Sequence, residues 1–360
     1  NYFSYANTTG HGIIGKHNLS KHNLTFRETS VLLNSRLKLD GSMNLMRQVV
    51  KNKPTVGGFY MNPLVGLYRF PRGEDISYYK ENFEVYDEGR NLNIQNWHTS
   101  YEDFEQNPYW ITNRILSKEN RMHVIVSLSA NLKINDWLSL QARGNVDYIN
   151  DKVRQQFYAS TAPALAGANG RYIEMDYQET QYYGDAILMM KKQWDAFSLN
   201  AALGASINDK TVNSTRYDSK TASLKYANVF NLANIIMNGS AGLDQKIDAR
   251  RQLQSLFATA QLGYNEFVYL DLSARNDWSS TLAYTSHEKS GFFYPSVGFS
   301  LIFNKLMTLP RWVSLAKIRG HTAWWAMIFP CSSQILPRIS RRVESSWQVM
   351  PRRSRIWNRR

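Results

Sequence analysis

Hydrophobic and polar residues alternate over long stretches of this chain, and the stretches come in pairs. From Ser255 to Tyr264, Leu256, Ala258, Ala260, Leu262 and Tyr264 share one face, while Thr259, Gln261 and Gly263 take the other. After Asn265–Glu266 the chain returns with Val268, Leu270, Leu272 and Ala274 against Tyr269, Asp271, Ser273 and Arg275. Successive strand side chains point to opposite faces, so the pattern predicts a β-hairpin with one apolar and one polar face. The same signature recurs over His22–Val50, with its turn near Asn34, and over Met122–Ile149, turning at Asn135–Asp136. It returns over Ala186–Asn208, turning at Gln193–Asp195, and Phe292–Phe303 reads as one further strand. The arms are long beside the usual strand of about five or six residues.

Between the hairpins the periodicity lapses. Lys51–Lys118 holds Pro54, Pro63, Pro71, Pro108 and several glycines among dense aromatics, and predicts one large loop. Asp151–Tyr183 and Asp209–Asp248 read as polar loops with strand fragments or extensions, and Asn1–Lys21 as a loop or the end of a strand. Tight turns therefore alternate with long loops, and Trp137 and Trp194 stand at the tight ends. A soluble sandwich with one solvated face shares the alternation, but more often uses short loops at both ends. Long loops on one side and an aromatic girdle on the other favour an all-β, antiparallel transmembrane β-barrel with long extracellular loops.

Composition changes this picture little. No run of about 18 apolar residues exists, so no transmembrane helix is expected, which leaves a barrel open. Cys331 is the only cysteine, which removes an intrachain disulfide framework and cysteine-based metal sites. His11, His17 and His22 have no metal-ligand spacing. The net charge of +14 suggests nucleic acid, but its distribution does not. Residues 311–360 hold 11 of the 43 Lys and Arg and one of the 29 acidic residues, so the preceding 310 carry 32 basic against 28 acidic. The chain begins at Asn1 without a charged-then-apolar leader, from which a missing or processed N-terminus is expected for an exported protein.

The string Arg275-Asn276-Asp277-Trp278-Ser279-Ser280-Thr281-Leu282, followed by Phe293-Tyr294-Pro295-Ser296-Val297-Gly298-Phe299-Ser300, resembles the SusC/RagA family of TonB-linked outer-membrane transporters. Asn62-Pro63-Leu64, Phe70-Pro71-Arg72 and Asn107-Pro108-Tyr109-Trp110 are weaker echoes of the same family. The resemblance covers most of residues 20–320. It implies part of a barrel of about 22 strands with a plug lying outside this sequence. It also implies import of a glycan or peptide, a SusD-like surface lipoprotein partner, energy from a TonB complex reached through regions missing here, and contact with outer-membrane lipid. Arg275, Asn276, Asp277 and Trp278 are the family-motif residues.

Residues 1–320 are accordingly expected to be barrel, and 321–360 a disordered basic tail. After Lys317-Ile318-Arg319-Gly320 the alternation stops, and Thr322–Phe329 reads TAWWAMIF. Trp and Met have single codons, so that string is nearly fixed in DNA. A frame two bases on accommodates S-Y-S-V-V-G-N-D-I-P, which is similar to the family's continuation beyond such a strand. A frameshift near Gly320 is expected; the alternative is a natural basic tail.

No nucleophile–base pair, phosphate loop or metal spacing emerges, so no enzyme, cofactor or metal is expected. Trp97, Tyr101, Tyr109 and Trp110 in the first long loop can stack on sugar rings or hold peptide, or can pack the loop on itself. Asp277 beside Arg275 reads as a wall ion pair or turn residue. A porin or adhesin is the alternative barrel reading. A nucleic-acid binder acting through the Arg-rich tail is a third, and the charge distribution disfavours nucleic acid as a partner.

Overall fold

A computed structural model describes residues 1–53, 60–99, 105–220, 224–237, 242–283, 291–307, 309–310, 312–325 and 340–351. In chain order its elements are β1 (Tyr2–His11), β2 (Asn18–Leu32), β3 (Leu37–Lys51), α1 (Pro63–Arg69), α2 (Ile76–Glu81), β4 (Glu84–Asp87), β5 (Leu92–Gln95) and α3 (Pro108–Arg114). Next come β6 (Ile115–Lys133), β7 (Leu138–Phe157), β8 (Arg171–Trp194), β9 (Phe197–Asp218), β10 (Gly242–Tyr264), β11 (Val268–Ser279), β12 (Phe292–Ile302), β13 (Val313–Trp325) and β14 (Ser340–Pro351).

Twelve strands form one antiparallel sheet in which each pairs with the next in the order β1-β2-β3-β6-β7-β8-β9-β10-β11-β12-β13-β14; β4 and β5 form a separate hairpin. The meander is unclosed, as a partial barrel should be. No helix among the described residues is long and apolar enough to cross a membrane.

The two faces of the sheet invert the usual burial. Leu128 (59% exposed), Leu203 (54%) and Phe299 (46%) stand on the apolar face with nothing packed on them. On the polar face Asp185, Ser255 and Asp277 are each 8% exposed or less. Crowding of the polar side chains marks that face as concave, and the leucines stand on the convex side. An apolar convex surface and a polar interior are what a barrel in lipid requires.

Aromatic residues bound the convex band. Trp137, Trp194, Phe197 and Tyr264 cluster at the tight-turn end, where Lys192 lies 5.3 and 5.4 Å from the Trp137 and Trp194 ring centres. Tyr148, Tyr182, Trp278 and Phe293 share the convex side's alternation at the other end. From Tyr182 to Trp194 the strand runs about 40 Å, or about 30 Å along the membrane normal at a tilt of ~40°, which equals the hydrocarbon core. β8 has 24 residues, β10 has 23 and β9 has 22. At ~3.3 Å per residue and the same tilt, such strands stand about 30 Å proud of the core. These extensions occupy much of what the sequence marks as polar loop: β7 continues to Phe157, β8 begins at Arg171, β9 reaches Asp218 and β10 begins at Gly242. Above the lipid both faces meet water, so the ladder persists while the alternation disappears. Of the two readings for Asn1–Lys21, a loop or the end of a strand, the strand is what forms over Tyr2–His11 and from Asn18.

The long loop after β3 is a folded unit carrying α1, α2, the β4–β5 hairpin and α3. Past Gly320, β13 continues to Trp325, and β14, in the stretch expected to be disordered, pairs with it. A free strand edge offers unpaired N–H and C=O groups to any extended segment, whatever its side chains.

Leu203→Arg places a cation at the middle of the convex band. It is expected to destabilise the protein in lipid vesicles by about 2–4 kcal/mol in a urea titration. Asn200→Arg, on the concave face of the same strand, is expected to change stability by under about 0.5 kcal/mol.

Candidate functional site

Two constellations stand out: the folded unit after β3, and the motif at the outer end of β11. In the first, both Asn-Pro dipeptides open helices. The Asn62 side chain accepts the Leu64 N–H at 3.0 Å and that of Asn107 accepts the Tyr109 N–H at 2.8 Å, each with proline in the first turn. An Asn N-cap followed by proline suits a helix start because proline lacks an N–H that would go unpaired there.

Asn107 is fully buried and joins three segments. Its amide nitrogen donates to the Tyr79 carbonyl at 2.9 Å and the Asn96 carbonyl at 2.8 Å. Its backbone N–H donates to Gln95 Oε1 at 2.7 Å. Gln106, next to it, accepts the Ala162 N–H at 2.8 Å and donates to the Tyr60 carbonyl. Gly66 lets α1 approach this hub, since a Cβ there would stand 2.5 Å from the Gln106 carbonyl oxygen. Arg114, the last residue of α3, forms a two-pronged ion pair with Glu84, both contacts 2.7 Å, and lies 5.0 Å from the Tyr158 ring centre.

The four loop aromatics have different fates. Trp110 is 0% exposed, and its indole N–H donates to Thr161 Oγ1 at 3.1 Å, so it packs the unit onto the β7–β8 connection. Trp97 is half-buried in a ring cluster with Phe70, Tyr79 and His98, its centre 5.2 Å from Phe70 and 4.7 Å from His98. Tyr109 is half-buried at the start of α3. Tyr101 lies outside the described residues. The rings the unit presents to solvent are instead Tyr68 (86%), Tyr86 (59%) and Tyr78 (53%). Leu64, Leu67 and Tyr68 form one exposed face of α1 at helical spacing, a signal readable in the sequence once the helix is recognised. Beneath the unit, a cavity of about 320 Å³ is lined by His17, Asn52, Met61, Thr112 and Phe157 among others. Burial holds the His17 imidazole below its ordinary pKa.

The β11 motif divides between the faces. Arg275 and Asp277 are concave; Asn276 and Trp278 are convex. Arg275 donates to Asp277 at 2.8 Å and to Ser255 Oγ at 2.9 Å. Asp277 ends a row of directly paired concave residues running Thr29, Asp40, Ser129, Arg143, Asp185, Ser206, Ser255, Asp277 across eight strands. Arg27 and Thr29 donate to Asp40, and Arg143 and Tyr183 to Asp185. The sequence shows the Arg275–Asp277 pair, whereas the row is visible only in the register of the strands. The hydrogen-bonding groups of the row suit a wetted interior. Ser279 then ends β11 by accepting the Thr281 N–H at 3.3 Å. Among the described residues no group of three or more His, Cys, Asp or Glu could hold a metal ion.

Solved structures superpose on this architecture. The RagAB peptide transporter aligns with 94% of this chain and 36% of its own, at a TM-score of 0.63 and 16% identity. The siderophore receptor PiuA from Acinetobacter baumannii aligns over 90% of this chain and 45% of its own (TM-score 0.51, 11% identity). BauA, the ferric preacinetobactin receptor of the same organism, aligns over 95% and 47% (TM-score 0.51, 11% identity). No family model and no curated protein matches the sequence. The fold is that of a TonB-dependent outer-membrane transporter barrel, of which this chain spans between a third and a half of the neighbours' length.

Trp110→Ala is expected to loosen the outer unit by about 3–5 kcal/mol. Hydrogen exchange would show it as faster exchange over residues 105–118 with the β7–β9 ladder unchanged. Tyr68→Ala should leave that exchange as it is.

Proposed function

We propose that this chain forms part of the wall and outer surface of a TonB-dependent transporter that takes up a peptide or glycan across the outer membrane. The outer unit binds the ligand, and passage is energised through a TonB complex rather than driven by bond chemistry at this chain. The observation that carries the reading is the inverted sheet, apolar outside and hydrogen-bonding inside, crowned by a rigid unit that offers tyrosines to solvent. The likeness to a peptide transporter supports a peptide ligand; the exposed tyrosines serve a glycan as well, because their faces stack on sugar rings. Trp97, Tyr101 and Tyr109 remain ligand candidates beside Tyr68, Tyr78 and Tyr86, whereas Trp110 acts by holding the unit together. The Leu64–Leu67–Tyr68 face is the place we assign to a SusD-like surface lipoprotein, since three apolar side chains on one helix face form a natural seat for a partner. Arg275 and Asp277 brace the inner wall, and Trp278 anchors it at the outer interface.

Calorimetric titration of the folded protein with an oligopeptide mixture and, separately, an oligosaccharide mixture tests this. One class should bind, and Tyr68→Ala with Tyr86→Ala should weaken it by about tenfold, or ~1.4 kcal/mol. Binding of neither class, or binding untouched by the tyrosines, overturns the assignment.

The division of the chain belongs to the same proposal. Residues 1–320 are barrel, and 321–360 are translated out of frame, a reading supported by the codon constraint at Thr322–Phe329. Sequencing the coding DNA through codon 360 should reveal a second frame that continues the alternation. An uninterrupted frame confirmed by peptide mass spectrometry of residues 321–360 would make the basic tail native.

A further inference from the structure

Charge is matched across most of the sheet, with one exception on the convex face where β3, β6 and β7 meet. On the concave face, cations face carboxylates: Arg27 pairs with Asp40, Arg121 with Asp151, Arg143 with Asp185 and Lys210 with Glu179. On the convex face, beyond the aromatic limit of the apolar band, Lys152, Arg154 and Arg250 still meet carboxylates, but across β3, β6 and β7 cations also face each other. Lys51 of β3 lies directly opposite Lys118 of β6, and Lys118 directly opposite Arg154 of β7. Strands stand about 4.8 Å apart, so three cations fall within about 10 Å. Like charges directly opposite in a sheet are destabilising. Arg154 is met by Glu174 and Lys152 by Asp176, both carboxylates on β8. Arg47, Lys51 and Lys118 are exposed and make no side-chain hydrogen bond or ion pair among the described residues.

Their height is informative. Arg47 stands two residues beyond Leu45, Lys118 four beyond Met122, Lys152 four beyond Tyr148, and Lys51 and Arg154 two further along their strands than Val49 and Lys152. At ~3.3 Å per residue and a tilt of ~40°, these heads sit about 5–15 Å outside the hydrocarbon edge, the depth of lipid headgroups. They also point outward, away from any ligand held within the barrel.

We propose that Arg47, Lys51, Lys118 and Arg154, with Lys152 below, form a binding site for the phosphate groups of an outer-leaflet glycolipid. A phosphate lying across the Lys51–Lys118–Arg154 row supplies the negative charge that β3 and β6 lack, Arg154 being partly met by Glu174, and the repulsion between opposed lysines becomes shared attraction to one anion. Anchoring charge on β3, β6 and β7 also fixes the protein's depth on the side where the outer unit emerges from β3 and re-enters at β6.

The site rests on the outer-membrane reading above, and its test separates the two. The protein is folded into phosphatidylcholine nanodiscs carrying diphosphorylated lipid A, or the same glycolipid stripped of phosphate, and retained glycolipid is counted by native mass spectrometry. The phosphorylated form should be retained selectively. Lys51→Ala with Lys118→Ala should lower retention by about fivefold per cation removed, and Lys51→Arg with Lys118→Arg should preserve it. Lys191→Ala, at the opposite end of the wall, should change nothing. Equal retention by the native protein and the double alanine variant overturns the proposal. So does displacement by millimolar inorganic phosphate, which would define a site for free phosphate instead. Insertion into nanodiscs without phosphate selectivity sinks the glycolipid site alone, whereas failure to insert sinks the membrane reading with it.

Discussion

Hydrocarbon offers a backbone N–H or C=O no water to bond, and an unpaired group there costs several kcal/mol. Everything else in this structure depends on pairing each strand along its whole crossing. The ladder from β2 to β12 is continuous through the apolar band. The register shifts among the described pairs, at Lys246–Ala249 and Val313–Leu315, lie at strand ends. A bulge leaves a residue out of the ladder, and water is available there to satisfy it.

A sheet paired this way has no need of a buried apolar core, and its side chains are sorted by solvent instead. Convex leucines stay half exposed because lipid, not protein, is their partner. The concave face is built from hydrogen bonds in turn: the row from Thr29 to Asp277 mixes charged and hydroxyl groups so that each charge has a neighbour able to pair with it. Space matters there too. The Phe257 ring lies over Gly204, where a Cβ would stand 2.4 Å from it, so the glycine makes room for an aromatic that Arg275 in turn approaches at 5.7 Å. Among the described residues, apolar cores of the ordinary kind form outside the band. One gathers Ile111, Ile115, Phe157, Ala166 and Ile173, the other Tyr172, Leu224 and Ile235.

This sorting explains what the sequence could and could not disclose. Alternation is visible only where the two faces meet different solvents, so Val124–Ile134, Leu138–Tyr148 and Phe197–Ile207 are readable as strands residue by residue. Asn150–Phe157 and Asp209–Asp218 continue the same strands with water on both sides, and their residues are polar on both faces. The outer unit was hidden for a different reason. Its helices have six or seven residues, too short for a helical period to establish itself, and only the Asn62-Pro63 and Asn107-Pro108 caps announce them. Trp110 and Tyr68 look equally available in a string of letters. Their opposite fates depend on Thr161 and Gln106, one from a distant segment and the other from the hub beside Gly66, and no local pattern encodes that.

The unit and the wall are mechanically one piece at α3. Its last residue, Arg114, is followed directly by the first residue of β6, and Ile115 lies in the apolar core that also holds Phe157 from β7. Arg114 is held by Glu84 from within the unit and by the Tyr158 ring from beyond β7, so the helix cannot swing without breaking a charged pair and a cation–ring contact together. Asn107 fixes the other end of the helix to α2 and to Asn96, just past β5, through carbonyls that would lose their hydrogen bonds. A ligand or partner pressing on the tyrosines of this unit therefore pushes on β6 and β7 as a body. On the convex side those two strands carry Lys118 and, directly opposite it, Arg154, where the force meets the lipid.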